Sequence, residues 1–159
     1  MSLAWKPLHL LTVLTLVAGL IGRNITFRMA QRSQDLSALA ALLSASLAFE
    51  RWLVIPGSVL VLLTGGVAVW TGHWQFRSAG QPTWLLLGTI LYLSLIPVIA
   101  IVLAPRRARR EAALAEAVTA NRITSEFTAA LNDAAVKWAR LYEGLVVAIV
   151  LFFMVLKPF

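Results

Sequence analysis

The chain has 159 residues, of which 60% are hydrophobic and only 13% are charged, and its mean hydropathy is +0.82. Soluble domains usually carry about a quarter charged residues, so this composition excludes a water-soluble domain and indicates lipid as the solvent. The net charge is +7 and cysteine is absent, which excludes disulfides and thiolate metal sites within the chain.

Four apolar stretches follow one another along the chain. They cover about residues 8–27, 52–71, 83–104 and 141–156. A hydrocarbon core of about 30 Å needs roughly 17–25 helical residues, and each stretch is close to that range. The sequence therefore predicts an all-α membrane protein, an up-down bundle of four transmembrane helices that forms a single domain over residues 1–159.

Lysine and arginine lie mainly in two of the connections. Residues 23–51 carry four of them and residues 106–140 carry seven, whereas the other side of the predicted spans has only Lys6, Arg77 and Lys157. Cytoplasmic loops are enriched in these residues. We therefore expect a multi-pass protein of the cell (inner) membrane, with connections 28–51 and 105–140 in the cytoplasm and both termini outside.

Both cytoplasmic connections are expected to be helical. Residues 35–50 are rich in Ala and Leu and contain neither Gly nor Pro. Residues 106–118 read as a helix that continues beyond the membrane, the chain can turn near Asn121, and residues 125–140 again favour a helix. We predict a helical hairpin over about residues 106–140 that extends the third and fourth helices into the cytoplasm.

Two histidines are the first candidates for a binding site. His9 lies one turn into the first predicted helix, and His73 follows the second, both on the outer side by the charge distribution. Neutral imidazole suits iron, so the pair could be axial ligands of a haem b or another tetrapyrrole. The alternative is that each histidine is an interfacial polar residue bonded to water or to a carbonyl group.

Ionisable residues next to the spans form a second candidate set. Arg23 lies towards the inner end of the first predicted helix, Glu50 and Arg51 precede the second, and Glu143 lies at the start of the fourth. A charge in or near a span tends to find a partner, so Glu50 or Glu143 paired with Arg23 would suit a proton or cation path. The alternative, which we favour, is that the arginines reach anionic headgroups while the acids neutralise nearby bases.

Small residues and prolines interrupt the spans. Small residues let helix backbones approach closely, and prolines kink helices. The functional interpretation is a ligand cavity at the second helix, and the commoner one is simple helix packing. The residues concerned are Ala18, Gly22, Pro56, Gly57 and Gly65.

The arginine cluster at residues 106–110 favours binding to anionic lipid headgroups rather than to nucleic acid. A phosphate-binding loop, a dinucleotide-binding fingerprint, a zinc motif and a nucleophile elbow are all absent from the sequence. We therefore predict no catalytic residues and no metal site, and the sequence favours a protein that is not an enzyme.

Three sequence features carry a resemblance to a known family. They are Leu8-His9 at the start of a helix, residues 50–57 (ERWLVIPG) leading to residues 63–65 (LTG), and residues 154–158 (MVLKP). Together they resemble the integral membrane proteins grouped as domain of unknown function 2269, over nearly the whole chain. That family implies no established activity.

The layout is also similar to that of membrane protoporphyrinogen oxidases, which bind haem through a histidine in the first helix, and to that of copper-resistance membrane proteins. On this similarity His9 corresponds to the first-helix histidine, and a second matching motif is not evident in this sequence. Such a likeness of fold does not by itself establish an activity.

Three functions are compatible with these features. The first is a non-enzymatic subunit or assembly component, present as a homo-oligomer or within a larger membrane complex. The second is a redox protein that binds haem or another tetrapyrrole through His9. The third is a small transporter of a metal or a tetrapyrrole that acts as an oligomer, since four helices seldom enclose a transport path alone.

Overall fold

The computed structural model of the chain describes residues 5–71 and 83–156, apart from the side chain of Lys6. These residues form helices and contain no strand, which confirms the predicted all-α class. The α-helices are α1 (Trp5–Arg32), α2 (Leu36–Phe49), α3 (Ile55–Thr71), α4 (Thr83–Leu93), α5 (Leu95–Pro97), α6 (Ala104–Thr119), α7 (Ser125–Leu131) and α8 (Ala134–Leu156). Two wider π-helical segments, π1 (Glu50–Val54) and π2 (Val98–Leu103), join α2 to α3 and α5 to α6.

Four helical rods in the described residues are long and apolar enough to cross a membrane. They are Pro7–Arg32, Leu36–Thr71, Thr83–Thr119 and Ser125–Leu156. Each predicted span lies within one of them. At 1.5 Å per residue the second rod, of 36 residues, is about 54 Å long and exceeds a hydrocarbon core of about 30 Å. The helices therefore continue well beyond the predicted spans.

The chain divides into two compact units, residues 1–75 and residues 76–159. Each unit is a helical hairpin with its own internal packing, and each is described separately below. The arrangement of all four rods as one domain stays a prediction of the sequence.

The first unit is an antiparallel hairpin in which α1 packs against α2, π1 and α3. The reversal takes only residues 33–35, because Asp35 has an extended backbone (φ −91°, ψ 125°) and caps the next helix. Its carboxylate accepts hydrogen bonds from the backbone N–H groups of Ser37 and Ala38. Such a cap satisfies donors that the first helical turn leaves without partners.

Glycines bring the two rods of the first unit into close contact. A Cβ atom on Gly19 would lie 2.7 Å from Leu53 Cβ, and one on Gly57 would lie 3.2 Å from the backbone of Leu16. Gly22 faces the ring of Phe49, which would lie 2.5 Å from an added Cβ. Without a hydrophobic force between helices in lipid, such close backbone approach is a main source of helix association.

Both π-helical segments end two residues before a proline. The Ile55 N–H bonds to Glu50 O ahead of Pro56, and the Ala104 N–H bonds to Ile99 O ahead of Pro105. A proline ring clashes with the carbonyl group four residues earlier and donates no hydrogen bond. The wider turn moves that carbonyl away, so the helix passes the proline without breaking. Pro97 follows a turn at Ser94, where the backbone stays in the helical region (φ −64°, ψ −16°) and the Ser94 N–H still bonds to Ile90 O.

The second unit is also an antiparallel hairpin. Helix α8 packs against α4 and π2, and α7 packs against α6. The reversal uses Asn121, whose positive φ of 48° suits asparagine better than most residues, and Thr124, whose hydroxyl caps α7 by accepting from the Phe127 N–H. Ala117 and Phe127 are both 0% exposed, so the end of this hairpin has a packed core.

We expect Gly19→Ala to lower the free energy of unfolding by about 1–3 kcal/mol, because the new methyl group overpacks the contact with Leu53. Gly66→Ala is the matched control, since a Cβ there meets no atom within 4 Å and alanine favours a helix by up to about 1 kcal/mol. Thermal unfolding in detergent measures both effects. Equal stability of the two variants would contradict the close helix contact.

The Asp35 cap gives a second, pH-dependent prediction. Hydrogen bonds from the Ser37 hydroxyl and then from the Ala38 N–H lower the pKa of the Asp35 carboxyl below its ordinary 3.8. A lowered pKa in the folded state means that the carboxylate stabilises the fold above pH 3.8, and that this stabilisation is lost as the pH falls through the lowered value.

The stability difference between wild type and Asp35→Ala should therefore be constant above about pH 4 and should shrink at lower pH. Asp35→Asn is the control, because asparagine also caps helices but does not ionise in this range. The stability difference between Asp35→Asn and Asp35→Ala should therefore not change with pH. Thermal unfolding across an acidic pH series measures these differences. A pH-independent gap between wild type and Asp35→Ala would contradict the role of the carboxylate.

Candidate functional site

A polar cluster joins the two rods of the first unit near the start of α1. His9 Nδ1 lies 2.8 Å from Thr64 Oγ1, and Thr12 Oγ1 lies 3.1 Å from the same atom. The Thr12 hydroxyl also donates to the carbonyl of His9 at 2.7 Å. Thr12 and Thr64 are buried and His9 is half-buried, so the cluster lies largely between the helices.

The hydroxyl of Thr64 lies between the His9 ring and its own helix. Thr64 Oγ1 is 2.7 Å from Leu60 O and 2.8 Å from His9 Nδ1. When Thr64 donates its hydroxyl proton to Leu60 O, its oxygen accepts from the Nδ1–H of His9, and Nε2 of the neutral imidazole keeps its lone pair. In either tautomer the bond to Thr64 engages Nδ1 and so orients the ring of His9.

Gly65 lies directly beside the imidazole ring. A Cβ atom at this position would be 3.3 Å from His9 Cε1, so a side chain here would crowd the ring, and glycine lets the imidazole pack directly against α3. The predicted role of Gly65 was a helix-packing or cavity position, and the structure places it next to the first histidine. The second predicted ligand, His73, lies outside the described residues, so the bis-histidine pair stays a prediction.

The predicted charged residues of the first hairpin differ in burial. Arg23 is 3% exposed, and its carbonyl accepts a hydrogen bond from the Ser46 hydroxyl at 3.2 Å. Glu50 is half-buried and begins π1, whereas Arg51 is exposed. Because the rods are antiparallel, Arg23 and Glu50 lie on opposite sides of the contact between Gly22 and Phe49 along the hairpin axis. The pairing of Arg23 with an acid stays a prediction.

The remaining predicted packing residues separate into two groups. Gly22 and Gly57 face the partner rod of their own hairpin. Ala18 is exposed, so it does not share the contact made by Gly22, and Pro56 is half-buried and follows π1.

In the second unit, polar side chains meet between α4 and α8. Ser94 Oγ lies 2.6 Å from Leu91 O and 2.6 Å from the Tyr142 hydroxyl, so the two side chains share a hydrogen bond in which either hydroxyl can donate. Glu143, the next residue on α8, is 3% exposed. This predicted residue is therefore buried.

The arginine cluster of residues 106–110 is mostly engaged within the second unit. Arg106 Nε lies 3.2 Å from Asp133 Oδ2, and Arg107 Nε donates to Glu111 Oε1 at 2.9 Å. Arg110 is buried and Arg109 is exposed. The other oxygen of Asp133 caps α8 by accepting from the Ala135 N–H at 2.8 Å. The cluster thus holds the hairpin together as well as offering charge to a lipid surface.

Sequence reasoning missed Thr12, Ser94 and Tyr142 as members of these polar clusters. Each is a hydroxyl residue within or beside an apolar stretch, and that is the signal that could have identified them. Within residues 5–71 and 83–156, no group of three His, Cys, Asp or Glu side chains could hold a metal ion.

The fold and composition define a multi-pass α-helical membrane protein. Residues 3–158 match the family described as predicted integral membrane protein (DUF2269), and the chain belongs to this family. The resemblance seen in the sequence is thereby confirmed. No curated protein and no solved structure matches the chain. The side on which each connection lies stays a prediction from the charge distribution.

Proposed function

We propose that the protein is a non-enzymatic subunit or assembly component of a membrane complex. The observation that supports this is Gly144, an exposed glycine within α8 with no heavy atom within 4 Å of where its Cβ would lie. Four residues later, on the same side of the helix, Ala148 is also exposed. The two residues form a surface of small side chains on a helix that is long enough to cross a membrane.

The glycine in this face lowers the stability of its helix unless another helix packs closely against it. Glycine inside a helix is about 1 kcal/mol less favourable than alanine. In the first unit, Gly19, Gly22 and Gly57 recover this cost through close contacts within the hairpin. Gly144 has no such contact in its own hairpin, and small residues spaced four apart are typical of helix–helix interfaces in lipid. The natural occupant is a transmembrane helix of a second protein molecule.

We expect Gly144→Leu to dissociate this complex, because the larger side chain keeps the partner helix away. Native electrophoresis of the protein extracted gently from its own membrane should show a species larger than the 17.4 kDa chain. In the Gly144→Leu variant, most of the protein should migrate as a smaller species. Mass spectrometry of the large species distinguishes a homo-oligomer from a complex of different chains.

Gly66→Leu is the matched control. Gly66 is also exposed with open space around it, but the residues four positions away, Leu62 and Trp70, are large. This variant should leave the complex intact, and both variants should unfold at temperatures close to that of wild type. A complex that survives Gly144→Leu unchanged would contradict the proposed interface.

We propose haem or tetrapyrrole binding through His9 as a second candidate function. It is supported by the hydrogen bond between His9 Nδ1 and Thr64 Oγ1, which engages Nδ1 and leaves Nε2 as the nitrogen that can ligate a metal. Metal-ligating histidines usually donate their other ring N–H to such a partner, because the bond orients the ring and raises its basicity. In this proposal His9 Nε2 would be one axial ligand of an iron porphyrin, which supplies electron transfer when bound.

An absorption spectrum of the natively purified protein tests this candidate. If it is correct, a Soret band should be present, should sharpen on reduction with dithionite and should be lost in His9→Ala. Thr64→Val is the matched variant, since it removes the acceptor of Nδ1 but keeps the ligand, so the band should remain while its reduction potential shifts. A flat visible spectrum of the wild-type protein would rule out this function.

A further inference from the structure

Each hairpin carries the same short pattern at the predicted inner end of a span, a basic residue followed directly by a tryptophan. Arg51-Trp52 begins the second apolar stretch, and Lys137-Trp138 lies just before the fourth. Trp52 is 74% exposed and Trp138 is 68% exposed, so neither indole ring packs inside its own hairpin. Such an amphipathic ring favours the boundary between lipid and water.

Exposed apolar residues follow each tryptophan at the same spacing. They lie three and seven residues further along the chain, and they are Ile55 and Val59 after Trp52, and Leu141 and Leu145 after Trp138. Residues at such a spacing share one side of a helix. Each tryptophan therefore stands at the end of an apolar stripe that faces away from its own hairpin.

On α8 the lysine completes this surface. At about 100° per residue, Leu141 and Leu145 lie about 40° and 80° around the helix from Lys137. Trp138 lies about 100° from the lysine, so both leucines lie on the arc between the two residues. They are also about one and two turns further into the span. A cation, an aromatic ring and an apolar surface thus follow one another from the membrane boundary inwards.

The two cations are not used within their own hairpins. Lys137 follows Asp133 by four residues, a spacing that suits an ion pair. Both oxygens of Asp133 are engaged elsewhere, however, Oδ2 by Arg106 and Oδ1 by the Ala135 N–H. Throughout residues 5–71 and 83–156, the side chains of Arg51 and Lys137 form no ion pair and no hydrogen bond. Both charges are therefore open to an external anion.

The arginine cluster of residues 106–110 does not repeat this pattern. Arg106 and Arg107 bond to acids, and Arg110 is buried. Arg109 is exposed, but α6, which carries it, contains no aromatic residue. The cluster therefore lacks the ring that would hold it at the membrane boundary.

We propose that Arg51-Trp52 and Lys137-Trp138 each bind one anionic phospholipid of the inner leaflet. The cation binds the phosphate, the indole ring lies beside the glycerol backbone, and one acyl chain covers the apolar stripe. An anionic lipid is favoured because the cation has no acidic partner, whereas a zwitterionic headgroup carries a positive group of its own. The proposal does not rest on the subunit role, since Gly144 lies about 20° outside the arc from Lys137 to Trp138.

Native mass spectrometry of the full-length protein tests this proposal. The protein is released from micelles that contain phosphatidylglycerol and phosphatidylcholine with identical acyl chains. Each chain should retain two phosphatidylglycerol molecules in preference to phosphatidylcholine. An excess of glycerol 3-phosphate, which has the phosphate group but no acyl chain, should not displace them. Displacement would indicate a site for a soluble phosphate and would overturn the assignment to a lipid.

Arg51→Gln and Lys137→Gln should each weaken the binding of one of the two lipids about fivefold, because each removes one cation near the headgroups. Arg122→Gln is the matched control, since Arg122 is also exposed but lies at the reversal of the second hairpin, away from the predicted span. This variant removes the same charge and should retain both lipids as wild type does. Equal weakening in all three variants would show attraction by net charge alone and would overturn the proposal, as would equal retention of the two kinds of lipid.

Discussion

The constraint on which this structure depends is that hydrocarbon offers no hydrogen bonds to the backbone. Every N–H and C=O group within the bilayer must find a partner inside the protein, so each span is a helix from one end to the other. Prolines are the points at which this rule is hardest to meet. At Pro56 and Pro105 the helix continues because a wider turn precedes the ring, and the rod therefore stays unbroken from the membrane into the connection beyond it.

The same constraint governs the polar side chains. In lipid a hydroxyl or imidazole group finds its hydrogen-bond partners within the protein. A hydrogen bond between two helices stabilises their association by only about 1 kcal/mol, with a wide range. The first hairpin uses such bonds at His9, Thr12 and Thr64, and the second uses one at Ser94 and Tyr142. Their larger effect is on register, because each bond fixes which residue of one helix faces which residue of the other.

The sequence was sufficient for the class of fold and the presence of four membrane-length helices, because apolar runs are local features that composition reveals. It was not sufficient for the site. The bond from His9 to Thr64 joins residues 55 positions apart, and it depends on the contacts that Gly19, Gly22 and Gly57 allow. The pair of Arg107 and Glu111 has the local i,i+4 spacing that a sequence can reveal, but the pair of Arg106 and Asp133 joins residues 27 positions apart and depends on the hairpin.

The unbroken second rod also makes the protein sensitive to the thickness of its membrane. A helix longer than the local hydrocarbon layer adapts by tilting. About 24 Å of this rod extends beyond a core of about 30 Å, so a change in tilt of about 10° would move its far end sideways by about 4 Å. The tight reversal at residues 33–35 would carry the end of α1 with it. We therefore expect a change in bilayer thickness to displace the end of the first hairpin sideways at the membrane surface.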